Sequence, residues 1–275
     1  AYALKLTEKE GKKLCRDIWV EFKNSGFKPI GEEVWFSEWS EYKPIRLYTK
    51  KGSFRVDGKA DRVDKYKNYV RIVDYKTGNA SEKVKEEKFY TGQNIQLYLY
   101  MNAFVRTGER SAGAYYYAVN DSFSKPDDEK APMAGKTLMN DEILNATDPE
   151  ILKTGRSKVV NVKTDKRNGR ITSGACDEIT LEGYMKYAKK LAENAVFNIA
   201  DGVIVPSPYQ GACNYCEYGG ICGFDEDAGY KERKISGVKP KTIVEAAFSD
   251  EKKENNEKDE KTEKIENAKK TEEEK

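Results

Sequence analysis

Asp61, Asp74 and Lys76 have the residue types and the spacing to do hydrolytic chemistry. They stand in Asp61-Arg-Val-Asp64 and in Val70-Arg-Ile-Val-Asp74-Tyr-Lys76-Thr-Gly78, with Gln96-Leu-Tyr-Leu-Tyr100 following. Side chains at i and i+2 of a strand share a face, so Asp74 and Lys76 point one way and Tyr75 the other. A hairpin turning near residues 65–68 brings Asp61 roughly opposite residues 72–74. Carboxylates that close raise each other's pKa unless a cation neutralises them, which invites a divalent metal. Hard oxygen donors favour Mg²⁺ or Mn²⁺, and the carbonyl of Tyr75 offers a further ligand. Lys76 beside such an ion would orient an attacking water and stabilise charge developing on a phosphate. Gln96 and Tyr100, one helical turn apart, could contact a phosphate backbone or fix Lys76. The set suits phosphodiester hydrolysis.

The acid–x–lysine step is common in so charged a chain: Glu10-Gly-Lys12, Glu21-Phe-Lys23, Glu41-Tyr-Lys43 and Glu86-Glu-Lys88 match as well. Context separates Asp74-Tyr-Lys76 from these. It ends an apolar Val-Arg-Ile-Val run and has a partner acid on the preceding segment. Asp64 is expected to cap the hairpin turn, and Arg62 and Arg71 are expected to be solvated or to form pairs at the sheet edge.

Histidine is absent from all 275 residues, which excludes Ser-His-Asp, Cys-His and His-metal hydrolysis together. The net charge of +2 conceals an asymmetry. Asp250 to Lys275 carries 11 acidic and 8 basic residues, leaving 41 basic against 36 acidic in the remainder. A mildly basic body suits a polyanionic partner without requiring one. No apolar run approaches the roughly 20 residues of a membrane span and no signal-peptide pattern opens the chain, so a cytosolic location is expected. Of the five cysteines, Cys213, Cys216 and Cys222 fall within ten residues, a ligand-like cluster. Cys15 and Cys176 are expected to be buried free thiols, and they are the only candidates in this chain for a fourth ligand.

Around these residues the patterning predicts an α/β chain. A helix is expected over 8–25, opened by the capping box Thr7-Glu-Lys-Glu10 and striped by Leu14, Ile18 and Phe22. Strands are expected at Glu33–Phe36, Ile45–Tyr48, Phe54–Val63, Tyr69–Tyr75 and Ala112–Val119. Helices are expected over Phe89–Val105 and Glu178–Ile199. Asp121–Arg170 reads as an irregular, polar loop or insertion with short elements, and Pro206–Phe224 as a cysteine-bearing loop. The expected division is 1–230 with the loop 206–225, an extension 231–248, and a disordered Lys/Glu-rich tail 249–275.

Gly58-Lys-Ala-Asp61-Arg-Val-Asp64, Ile72-Val-Asp74-Tyr-Lys76-Thr-Gly78 and Gln96-x-x-x-Tyr100 together resemble the RecB-like branch of the PD-(D/E)XK nucleases. The cysteine spacing resembles the iron–sulfur staple of AddB-type proteins in AddAB-type helicase–nucleases, and the likeness runs from about Phe27 to Phe224. The resemblance implies a restriction-endonuclease-like mixed sheet flanked by helices, with a cysteine-stapled C-terminal segment. It implies Asp61 and Asp74 as metal-binding acids, with Lys76, Gln96 and Tyr100 completing the catalytic set, and Cys213, Cys216 and Cys222 as cluster ligands. The implied activity is Mg²⁺- or Mn²⁺-dependent, exonuclease-type cleavage of a single DNA strand leaving a helicase during double-strand-break processing, beside an A-type helicase partner. Two departures stand out. The family's fourth cysteine lies farther upstream of the acid hairpin than Cys15 does, and an upstream helix usually supplies a further metal-site residue, often His. The chain is therefore expected to be the C-terminal piece of a larger protein, with the fourth ligand of a [4Fe–4S] cluster outside it or with Zn²⁺ in its place. The alternatives are a non-catalytic DNA-binding or structural module of the same fold, and a stand-alone Cas4-like nuclease completed by Cys15.

Overall fold

A computed structural model describes residues 2–77, 80–120, 131–165 and 170–250. In chain order the elements are α1 (Tyr2–Asn24), β1 (Lys28–Phe36), β2 (Ile45–Thr49), β3 (Gly52–Val56), β4 (Gly58–Tyr66), β5 (Tyr69–Thr77), α2 (Ala80–Lys83), α3 (Glu86–Tyr90), α4 (Gln96–Phe104) and β6 (Arg110–Asn120). There follow β7 (Met133–Leu138), α5 (Asp141–Thr147), α6 (Glu150–Thr154), β8 (Lys163–Thr164), β9 (Ile171–Ser173), β10 (Ala175–Cys176), α7 (Glu178–Ala200) and α8 (Pro240–Ala247). A six-stranded sheet in the order β1-β4-β5-β6-β7-β10 forms the centre, parallel at β5–β6 and β7–β10 and antiparallel elsewhere. The expected mixed sheet flanked by helices is what forms. No helix among the described residues is long and apolar enough to cross a membrane.

Parallel pairing of β5 with β6 requires a crossover, and α2, α3 and α4 supply it. The crossover lays α4 on one face of the sheet, where Leu97, Tyr98, Met101 and Phe104 bury against Val63, Ile72, Ala114 and Tyr116. On the other face Val73, Tyr115 and Tyr117 form a second core, with Leu14 and Ile18 of α1 packed against it. Strand alternation thus sorts the run Tyr115-Tyr116-Tyr117 between two cores. Both sides of β5 are covered, which is why it reads as a continuous apolar run.

Several boundaries differ from those the sequence suggested. α1 starts at Tyr2, so Thr7 lies inside it rather than capping it, because Ala3, Leu4 and Lys5 are good helix formers that carry the helix upstream. The single strand expected over Phe54–Val63 breaks at Asp57 into β3, which pairs only with β2, and β4, which enters the main sheet. Gly58 opens β4 where a Cβ would lie 2.5 Å from the Phe36 ring, so no larger residue fits that approach. The helix expected over Phe89–Val105 is interrupted at residues 91–95, where Gly92 takes a positive φ of 84°.

The described part of Asp121–Arg170 holds short elements, as expected, but one of them joins the central sheet. It holds β7 and the helices α5 and α6, with the Asn140 side chain accepting from Glu142 N at 3.0 Å and Ile143 N at 3.3 Å to cap α5. In the 231–248 segment, α8 packs on α7 and buries Ile243 and Ala247 in the main core. The expected tail lies, beyond Asp250, outside the described residues.

Candidate active site

The hairpin that carries the acids turns tightly, with Tyr66 paired to Tyr69 and Lys67 in the left-handed region at φ 53°. Its regular ladder runs out to Arg62 opposite Val73. At the next step the Asp61 carboxylate takes over, with Oδ2 accepting from the Tyr75 backbone N–H at 2.9 Å. That bond fixes Asp61 across the β4–β5 seam from Asp74.

Asp74 is 5% exposed and faces α4, with Tyr116 beside it in register on β6. Burial raises the proton affinity of its carboxyl, and Asp61 raises it further, against the opposing pull of Lys76 and Lys83. Lys76 Nζ lies 2.5 Å from Asp74 Oδ2 and donates to Gln96 Oε1 at 3.4 Å. The contact to Asp74 is a close, charge-assisted pair on a carboxylate that is otherwise buried. Gln96 is the first residue of α4, so the break at residues 91–95 is what aims it at Lys76. Tyr100, one turn on, packs edge-on against Phe36 at 4.8 Å.

Lys76, Gln96 and Tyr100 open together onto a cleft of about 500 Å³, joined there by Lys83, Gln93, Asn94 and Tyr116. Asp61, Asp74, Lys76, Gln96 and Tyr100 are therefore gathered in one region, as their spacing suggested. The Tyr75 side chain is on the other face, its hydroxyl accepting from Arg62 Nη1 at 3.1 Å. Sequence reasoning missed Lys83, Gln93 and Asn94, which precede α4. Tyr116 was within its reach, since alternation along β6 already separates it from its two neighbours.

The expectations for Asp64, Arg62 and Arg71 are overturned. Exposure falls to 1% for Arg62 and Glu21 and 0% for Asp64 and Arg71, and the four form a closed ionic cluster beneath α1. Arg62 donates to Asp64 through Nε and Nη2, both at 2.8 Å, and to Glu21. Arg71 donates to Asp64 Oδ2 at 2.8 Å and to Glu21 Oε1 at 2.5 Å. Two positive and two negative groups balance, which is how they can stay buried. Burial would raise the Asp64 carboxyl, but Arg71 and Arg62 outweigh it and hold it below the usual range. Alternation places Arg62 and Asp64 on the opposite face from Asp61 and Asp74, which is why Asp64 is not a turn cap.

The cysteines are arranged differently from a closed staple. Cys213, Cys216 and Cys222 are all exposed, around a short turn in which Cys216 N donates to Cys213 O at 3.2 Å. Desolvation, Glu232 and the neighbouring Cys216 and Cys222 push the Cys213 thiol up. Among the described residues no three His, Cys, Asp or Glu side chains converge on a metal-binding geometry. Three thiols fall one short of a Cys₄ zinc site or a [4Fe–4S] cluster, so as arranged they do not fit either group. Cys15 is exposed on α1 rather than buried. Cys176 is partly buried in β10, where burial pushes its thiol up to about 12.

Comparison with known proteins agrees with this geometry. A family model described as the PD-(D/E)XK nuclease superfamily matches residues 2–223. The AddB-type component of an ATP-dependent helicase/deoxyribonuclease from a Thermoanaerobacter species is 30% identical over 242 residues, covering 77% of this chain and 21% of that protein. Its counterparts from Caldanaerobacter subterraneus, 27% identical over 273 residues, and Clostridium novyi, 30% over 260, cover 88% and 83% of the chain. The chain spans 23% of the length of each of these two. With its mixed sheet, flanking helices and acids on one hairpin, the fold is restriction-endonuclease-like, and the chain belongs to the PD-(D/E)XK nuclease superfamily, related to the AddB-type proteins of helicase–nucleases.

Proposed function

We propose that this chain is a Mg²⁺- or Mn²⁺-dependent deoxyribonuclease module that cleaves a DNA strand delivered by a helicase during the processing of double-strand ends. The observation that carries the reading is the pair of acids on one hairpin, with Asp74 buried, coupled to Asp61 and joined through Oδ2 to Lys76, which with Gln96 and Tyr100 lines the adjoining cleft. Oxygen donors of this kind suit a hard divalent cation. Asp61, Asp74 and the Tyr75 carbonyl would hold it, and when bound it would supply Lewis acidity and a water of lowered pKa.

The chain's own groups do the rest. The Tyr75 N–H keeps Asp61 oriented. Lys76, steadied by Gln96, places a positive charge where the phosphate becomes more negative. Tyr100 closes one wall and offers a hydroxyl to the strand. The DNA substrate and the helicase setting are supported by the names of the relatives, of which this chain spans about a fifth, while the exonuclease mode, the single-stranded form and an A-type helicase partner rest on the motif resemblance alone.

Incubation of the chain with labelled single-stranded DNA and Mg²⁺ should give cleavage that excess chelator stops and added Mn²⁺ restores. Binding without metal-dependent cleavage would favour a non-catalytic module instead.

For the cysteines, the reading is a clip completed by a ligand from elsewhere in a longer protein. Iron and zinc measured on anaerobically purified chain should be below one cluster's complement. The metal that is present should fall on Cys216→Ser and be unchanged by Cys15→Ser. A loss in Cys15→Ser would make Cys15 the fourth ligand and favour a stand-alone, Cas4-like arrangement.

A further inference from the structure

We propose that Lys83, with the side-chain amides of Gln93 and Asn94, forms a subsite for a second backbone phosphate of the bound DNA strand, next to the phosphate held by Asp61, Asp74 and Lys76. It rests on the nuclease reading of the same cleft and extends it to how the strand is gripped.

Lys76 cannot do this work alone, because its amine is committed to Asp74 and Gln96. Nearby lysines are committed too. Lys85 pairs with Glu82 at 2.7 Å and Lys136 with Glu86 at 2.6 Å. Lys83 lines the cleft and, among the described residues, forms no ion pair with a carboxylate. It shares that cleft with Lys76, Gln96 and Tyr100, which sets it next to the acid-bearing hairpin.

The local backbone is built to hold these groups together. Asn94 Nδ2 donates to the Lys83 carbonyl at 3.1 Å, tying the 91–95 break to α2. Gln93 N donates to Lys88 O at 2.9 Å, and Gly92 makes the turn that brings both residues to the cleft. A half-buried ammonium with amide donors beside it, facing open volume, is an arrangement completed by an anion. The cleft volume of about 500 Å³ exceeds what one phosphate needs and is in the range of nucleotide-sized ligands.

The test measures binding of a single-stranded oligonucleotide across a salt series, with and without Lys83→Gln, in an Asp74→Asn chain. Loss of one phosphate contact should reduce the slope of log affinity against log salt by about 0.7, and Lys83→Arg should restore it. In the chain with Asp74 intact, Lys83→Gln should raise KM about tenfold, with the loss falling on KM rather than on kcat. An unchanged slope and KM, or no oligonucleotide binding at all, would overturn the subsite. Cleavage persisting in Asp74→Asn would instead sink the catalytic reading, and the salt slopes would still decide the role of Lys83.

Discussion

Asp74→Asn is expected to reduce metal-dependent DNA cleavage by on the order of 10³-fold or more, while the protein melts at the same temperature as wild type or higher. The rate loss corresponds to about 4 kcal/mol of transition-state stabilisation. The stability half of the prediction follows from the site's own electrostatics. Asp74 is buried and faces a like charge on Asp61, which together outweigh the pull of Lys76, so its ionised form costs the fold free energy. An isosteric amide removes that cost and keeps the volume. Lys76→Ala should lose activity by about 10²–10³-fold, with little change in melting, because the amine is only half-buried. Kinetics on single-stranded DNA with thermal unfolding of the same preparations decide the matter. Undiminished cleavage in either variant would exclude the assignment.

The second large effect concerns folding, on the opposite face of the same hairpin. Asp64→Asn should destabilise the chain by about 3–5 kcal/mol, because it leaves Arg62 and Arg71 sharing only Glu21 inside the protein. Arg71→Met should cost a similar amount for the reciprocal reason. The double variant Arg71→Met/Asp64→Leu should recover part of the loss, since no unbalanced charge then remains buried and neighbouring substitutions are not additive. The pH dependence has a definite sign. Folded Asp64 titrates below its unfolded value of about 3.9, so its contribution is whole above that pH and is lost as pH falls through the folded value. The gap between wild type and Asp64→Asn should therefore hold steady near neutrality and close in strong acid. Denaturant unfolding at several pH values measures it, and a gap that widened in acid would contradict the assignment.

The two faces of β4 and β5 explain how much of this protein was legible beforehand. A period of two, an apolar run and an acid–x–lysine step sufficed to identify the hairpin and to put Asp74 and Lys76 on one side and Tyr75 on the other. The fourfold stripe of Leu14, Ile18 and Phe22 identified α1, and the amphipathic pattern of Glu178–Ile199 identified α7 nearly to its ends. What failed depended on partners distant in the chain. Arg62, Asp64 and Arg71 look like surface charges until Glu21, 41 residues upstream of Arg62 and 50 upstream of Arg71, arrives from α1 to balance the two arginines. The break at residues 91–95 looks like continuous helix until Gly92 turns Gln93 and Asn94 toward Lys83.

The sequence by itself therefore determined which carboxylates and which lysine share a face of the hairpin and which helix follows them, because strand and helix periods are local properties. Tertiary structure decided everything that needs one segment to meet another. It set Asp61 across the seam by a bond to the Tyr75 N–H and buried Asp74 against Lys76. It also turned the remaining charges of the hairpin into a sealed ionic cluster, because the cost of burying a charge depends on which charges from elsewhere are brought beside it.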